Sequence, residues 1–216
     1  MQENIILTGI VLKQSPVGEY DRRVSLLTKE RGKISAFARG ARRAGNKLAA
    51  ATDAFAFGHF KVYEGKSAYT LAEADIHNYF EDLRTDYIGA CYGMYFAEIA
   101  DYYTRENNDE REMLRLLYQS LRALCSPILS KPLVRCVYEC RCLVVNGEFP
   151  GPPVDRPLGD STIYTLQYIA TSPLEELYTF AVSESVLDEL QQVSAEYMRK
   201  YVGHQFKSLE VLQTLC

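Results

Sequence analysis

Near Tyr79 the spacing of apolar residues changes, and that change leaves the chain few folds to choose from. Before it, short runs rich in β-branched and aromatic residues alternate with turn residues. After it, apolar residues recur at steps of three and four, the mark of amphipathic helices. Strands first and helices second predict an α+β, multidomain protein rather than an alternating parallel sheet. The expected boundaries are 1–79 for the strand-rich domain and 80–216 for the helical one.

The front half divides further. Residues 4–14 form an apolar run that fits a first strand, followed by the turn Ser15-Pro16-Val17-Gly18. Residues 23–28 and 32–39 predict a hairpin closed by Lys29-Glu30-Arg31-Gly32, with Gly32 free to adopt positive φ. Residues 54–63 and 67–78 supply two more strands, joined at Glu64-Gly65-Lys66. Five short strands with one wet face are what a Greek-key OB-fold barrel requires. The connection between the third and fourth strands is the natural place for inserted structure.

In the back half, Ile88, Cys91, Tyr92, Tyr95, Phe96, Ile99, Tyr102 and Tyr103 make one face of a long helix, which we read as packed core. Asn107-Asn108-Asp109 ends it, and a second helix carries Leu114, Leu117, Tyr118, Leu121, Leu124 and Cys125. A third begins near Ser130 with Pro132 in its first turn and stops at Gly147. Lys131, Arg135 and Arg141 are expected on its other faces. After a rigid break at Phe149-Pro150-Gly151-Pro152-Pro153 and a loop over 154–162, weaker helical segments are predicted at 163–170 and 174–180. Ser183 or Ser185 then opens a last long helix with the stripe Val186, Leu190, Val193, Tyr197 and Tyr201.

Charge is unevenly distributed. The chain as a whole has a formal net charge of −4, yet residues 1–80 sum to +4 and residues 81–216 to −8. The excess is concentrated between residues 20 and 47, where Arg22, Arg23, Lys29, Arg31, Lys33, Arg39, Arg42, Arg43 and Lys47 face only Asp21 and Glu30. A polyanion is the simplest partner for such a run, because neutralised phosphates release condensed counterions. A solvated charged hairpin is the plain alternative. Phe37 alternates onto the same face as Lys33, Ser35 and Arg39, where it either stacks a base or joins the core. Arg39 to Lys47, with two glycines and four cations, is expected to be a mobile loop able to close on a phosphate backbone.

Signs of catalysis are missing. The sequence has no G-x-S-x-G elbow, no G-x-x-x-x-G-K-[ST] loop and no G-x-G-x-x-G turn. His59, His77 and His204 stand far apart, and none shares helical metal spacing with a second ligand. Cys91, Cys125, Cys136, Cys140, Cys142 and Cys216 form no C-x-x-C pairs; most fit buried helical positions, and Cys142 points away from Cys140. The expectation is therefore no enzyme, no cofactor and no metal. No run approaches the 18 or so apolar residues of a membrane span, and the opening segment reads as a strand rather than a signal peptide, which predicts a cytoplasmic protein without a membrane partner.

The opening GIVLKQSPVGEYDRRVSLLTKERGKISAFARGARR, the layout of the helical middle and the closing YVGHQFKSLEVL resemble the bacterial RecO family of recombination mediators over most of the chain. The resemblance implies a nucleoid-associated DNA repair protein that binds single- and double-stranded DNA without hydrolysing nucleotides and anneals complementary strands. It further implies that RecR and the acidic C-terminal tail of single-stranded DNA-binding protein are partners. On this chain the DNA role falls on Arg22, Arg23, Lys33, Arg39, Arg42 and Arg43, with Lys29, Arg31 and Lys47 in support and Phe37 as the stacking ring. Lys131, Arg135 and Arg141 are expected to flank a groove for the acidic tail. An adaptor that binds that tail with little grip on DNA is the alternative. Many family members carry a four-cysteine zinc module after the segment that here reads Gly147-Glu148-Phe149-Pro150; no cysteine follows until Cys216, so residues 147–162 are expected to be a degenerate form held by local packing.

Overall fold

A bulge in the first strand shows how the two halves join. In this computed structural model, which describes residues 4–66 and 68–215, β1 (Asn4–Val17) pairs with β4 (Phe57–Tyr63) along its first half and with β2 (Asp21–Thr28) along its second. Its register shifts between Val11 and Lys13. Val11 points into the barrel, while Ile10 and Leu12 join Leu27 and Phe55 in the core of the helical half. That two-sided burial is why residues 4–14 read as a nearly continuous apolar run rather than an alternation. Burying each of those four side chains contributes about 2 kcal/mol. That outweighs any surface ion pair at the junction, so barrel and helices dock as one body.

The barrel closes in the order β1-β2-β3-β5-β4, with β3 (Gly32–Ala38) parallel to β5 (Tyr69–Asn78) and the other pairs antiparallel. Leu7, Val24, Leu26, Ile34, Phe60 and Leu71 fill its interior. Ser67, the expected start of the fifth strand, lies outside the described residues, as does Cys216. The β3–β4 connection carries a short helix, α1 (Leu48–Ala51).

A short α2 (Glu81–Thr85) leads into α3 (Tyr87–Tyr103), whose N-terminus is capped by the Asp86 carboxylate accepting from the Gly89 N–H at 2.9 Å. Then follow α4 (Arg111–Leu124), α5 (Lys131–Val145), α6 (Asp160–Thr171), α7 (Glu184–Tyr197) and α8 (Lys207–Leu215). The helix α5 packs against α3, α4, α6 and α7 and is buried on nearly every side. Tyr138 stacks on Phe96 at 4.2 Å between ring centroids and donates its hydroxyl to the Phe96 carbonyl.

Several expectations shift. Of the two candidate caps for α7, Ser183 is the one that accepts the Val186 N–H. The segment 174–180 holds only one 3-10 turn, Leu174–Glu176, because Pro173 precedes it and Leu177 turns into the core. The helix α8 was not expected. It follows Gly203, packs on α3, and its first turn is capped by Glu98, which accepts the Ser208 N–H at 2.9 Å.

Candidate nucleic-acid interface

One end of the barrel collects cations without collecting carboxylates to match them. The β1–β2 turn and the β3–α1 loop meet there, and hydrogen bonds hold the loop to the turn. The Arg42 N–H donates to the Tyr20 carbonyl at 2.9 Å, its guanidinium to the Gly18 carbonyl at 3.0 Å, and the Gly40 N–H to the Asp21 carboxylate at 2.7 Å. Gly40 has a φ of +67°, which a side chain would resist, so the sharp return after β3 needs a glycine. The loop expected to be a mobile arm therefore presents its arginines from a tethered backbone. Arg43 lies over the Tyr20 ring at 4.7 Å, and that ring is 47% exposed. Arg39, Arg42, Arg43 and Lys47 are exposed and carry no ion pair among the described residues.

The patch extends onto the outer face of β2 and β3. Arg23 sits opposite Phe37 in the β2–β3 register and donates to the Ser35 hydroxyl at 2.7 Å. Phe37 belongs to neither hydrophobic core and stays half-exposed on the outside, beside that guanidinium. A cleft beyond Arg23 is lined by Lys13, Lys33 and Arg105 together with the acids Asp101 and Glu106. Sequence reasoning passed over Tyr20, Lys13 and Arg105. For Tyr20 the signal was present, an aromatic in a turn one residue ahead of Arg22 and Arg23.

The nine cations do not form one surface. Arg22 donates to the Ala49 carbonyl at 2.7 Å and to Thr52 and Asp53 at 2.9 Å, tying β2 to α1, while Arg84 of α2 holds the same Asp53 at 3.6 Å. Lys33 binds the α3 residue Asp101, at 3.2 Å to its carboxylate and also at its carbonyl. These two cations serve internal joints. The backbone at the end of the hairpin touches the helical half, while Lys29 stays exposed: the Lys33 N–H donates to the Arg105 carbonyl at 3.0 Å, and the Arg31 carbonyl accepts the Asn107 N–H at 2.9 Å. A Cβ at Gly32 would come within 2.3 Å of the Arg105 carbonyl oxygen, so only glycine permits that approach. Lys29 and Arg31 thus stand at the far end of the eight-residue β2 from the Tyr20 patch, roughly 25 Å away at about 3.3 Å per residue.

Asp101 is the hinge-pin of the joint. Burial alone would raise its pKa, but the hydrogen bond from Lys13 and the charges of Lys33 and Lys13 outweigh burial and hold it below the usual carboxylate range.

The three cations of α5 are not gathered into one groove. Lys131 pairs with the cap residue Asp86 at 2.8 Å, and Arg135 pairs with the fully buried Glu139 at 2.7 Å while lying over the Tyr95 ring. Arg141 is six residues beyond Arg135, about 120° to the other side of the helix. It is buried, donating to the Ile169 and Ala170 carbonyls at 3.1 and 2.8 Å. The basic patch expected on this helix is replaced by three separate anchors, because α5 is central and a buried charge needs a partner.

Residues 147–162 contain no cysteine or histidine, so a thiolate zinc site does not fit them. Burial pushes the thiol of Cys136 up to about 12 and raises those of Cys140 and Cys142 as well, which disfavours the thiolate a metal requires. Protein contacts hold the segment instead. Tyr197 donates to the Gly151 carbonyl at 2.7 Å, Phe149 packs on the Tyr197 ring, and Arg156 pairs with Glu196 at 3.2 Å. Among the described residues no helix is long and apolar enough to cross a membrane.

Comparison with known proteins identifies the family. Residues 1–80 match the family model described as "Recombination protein O N terminal", and residues 84–151 and 148–210 match "Recombination protein O C terminal". Similar curated relatives are named "DNA repair protein RecO". That of Acetivibrio thermocellus is 30% identical, with 96% of each chain covered. Those of Bacillus cereus and Bacillus mycoides are 28% and 24% identical over the same share. With both halves matched and nearly full length shared, the OB-type barrel and the helical bundle behind it are those of a DNA repair protein, and the chain belongs to the RecO family.

Proposed function

We propose that this protein is a strand-annealing recombination mediator. It binds single- and double-stranded DNA without strong sequence preference and hydrolyses no nucleotide. With RecR, it helps load recombinase on DNA coated by single-stranded DNA-binding protein, whose acidic C-terminal tail it contacts. The observation that carries the DNA role is the open end of the barrel, where Arg39, Arg42, Arg43 and Lys47 stand unpaired beside the exposed Tyr20 ring. Arg23 and Phe37 continue the surface along β2 and β3. Cations that track a backbone and rings that stack on bases are the means by which single strands are held without reading sequence. Arg22 and Lys33 shape this surface from inside the joints rather than meeting phosphate. The tail contact is not placed on Lys131, Arg135 and Arg141, each of which already pairs with a carboxylate of the protein.

The test is binding of a short single strand across a salt series. Each phosphate contact contributes about −0.7 to the slope of log K against log salt. Replacing Arg39, Arg42 and Arg43 by alanine is expected to flatten the slope by about 2 and weaken binding roughly 100-fold at 0.1 M salt. The same variant should lose strand annealing in a fluorescence assay. An unchanged slope would overturn the assignment of these arginines, and capture of the acidic tail by a protein with no DNA affinity at low salt would favour the adaptor reading.

A further inference from the structure

The two histidines that seemed remote in sequence become neighbours once β4 and β5 pair. His59 stands directly across from Asp75, and His77 follows two residues along β5 on the same outer face. The two imidazoles meet edge to face with centroids 4.4 Å apart, and His77 Nε2 lies 3.5 Å from Asp75 Oδ2. One ligand atom from each of the three residues falls within 4.8 Å of the others. The β4–β5 register shifts between Phe57 and Gly58, immediately before His59, and such irregularities re-aim side chains. Gly58 lets the strands close: a Cβ there would come within 2.1 Å of the Asp75 carbonyl oxygen.

We propose that this face of the barrel binds one zinc-class divalent cation through His59, Asp75 and His77. Two imidazoles and one carboxylate suit zinc, copper or nickel and are a poor set for magnesium or calcium, which take oxygen ligands. With bonds near 2.0–2.1 Å, tetrahedral ligand atoms stand about 3.3 Å apart. The Asp75–His77 pair is already close to that separation, and His59 closes the remainder by a small side-chain rotation on an open surface. Three protein ligands leave the fourth position to water. The ion would clip β4 to β5. It owes nothing to the cysteine module of other family members, and its residues lie on different strands from Arg23 and Phe37.

The experiment is a titration of the full-length, metal-stripped protein with Zn²⁺, read by calorimetry, alongside Co²⁺ absorption. Wild type is expected to take up one ion per chain, to gain thermal stability on doing so, and to show Co²⁺ ligand-field bands without a thiolate charge-transfer band. The double variant His59→Ala, His77→Ala should lose saturable uptake. Asp75→Asn should weaken it more than about tenfold, the scale on which even outer-shell partners matter. Retained DNA binding and melting behaviour of the stripped variants would show that their fold is intact. Absence of saturable binding in wild type would overturn the proposal. So would unchanged uptake in the double variant, or a thiolate band placing the ion on the cysteines.

Discussion

The cations at the open end of the barrel and those on α5 carry the same charge in opposite circumstances. Arg39, Arg42, Arg43 and Lys47 have solvent, backbone carbonyls or a tyrosine ring for company and form no ion pair among the described residues. Lys131, Arg135 and Arg141 each hold a partner, and the last two are sunk into the bundle. The difference lies in desolvation. A charge taken out of water must be matched by a counter-charge or by hydrogen bonds, whereas a charge left in water stays available to a ligand. The same division runs through the basic stretch itself, where Arg22 and Lys33 side with the helical cations although they neighbour the free ones in sequence. Availability, not charge count, marks the candidate DNA surface.

The largest effect that sharpens this contrast is expected at Glu139. Its Oε1 accepts both the Tyr95 hydroxyl and the Arg135 guanidinium at 2.7 Å, in full burial. Glu139→Ala strands Arg135 and orphans Tyr95, a loss of about 3–5 kcal/mol of stability by urea denaturation. The salt slope of DNA binding should not move in conditions where the variant is folded. A loss under about 1 kcal/mol would show that Arg135 is as free as the barrel cations, and the contrast would fail. Arg22→Ala comes next. It removes the charged donor shared by Ala49, Thr52 and Asp53, and should lower stability by about 2 kcal/mol while leaving the salt slope alone. Arg43→Ala should do the reverse, since its guanidinium touches only an exposed ring.

Much of this layout was legible in the chain, and the part that was not has an identifiable cause. Alternation in 32–38 placed Phe37 and Lys33 on one face, and the step to a helical period placed α3 and α5. Both are local signals, written within a few residues. Partnership is not local. Asp53 lies 31 residues from Arg22, Asp101 lies 68 from Lys33, and only barrel closure and helix docking bring them together. The meeting of His59 with His77 depends on the β4–β5 register and its bulges, which the loop at 64–66 does not reveal. That the hairpin backbone at Arg31 meets the helices follows from Gly32 admitting the Arg105 carbonyl, a contact with a residue over 70 positions away. A sequence shows which cations exist; the fold decides which are taken.

Phe37→Ala probes the free side of the comparison with a smaller effect. Because the ring joins neither core, stability should change by less than about 0.5 kcal/mol. Single-strand affinity should fall by about 1–2 kcal/mol, with little change in salt slope, as expected for a lost stacking platform.

The smallest effect is expected at Asp101, where the two classes of cation meet. Its carboxylate holds Lys13 at 2.6 Å, Lys33 at 3.2 Å and the Ser25 hydroxyl at 3.1 Å, joining α3 to the barrel. Lys13 is largely exposed, so solvent screens much of this attraction, and Asp101→Asn should lower stability by about 1 kcal/mol at neutral pH. The sign of the pH dependence follows from the direction of the shift. The folded pKa lies below the unfolded value of 3.8, so the contribution is fully present above that value and is lost as pH falls through the folded pKa. Urea melts should therefore show the gap between wild type and variant narrowing as pH falls below about 4. The variant also frees Lys13 beside Arg23, while Lys33 keeps its bond to the main-chain carbonyl of residue 101, so the salt slope should steepen by up to about 0.7 for the one added phosphate contact. A gap that stays constant down to pH 2.5 would mean that Asp101 acts through shape rather than charge. The line between held and free cations would then need to be redrawn at this joint.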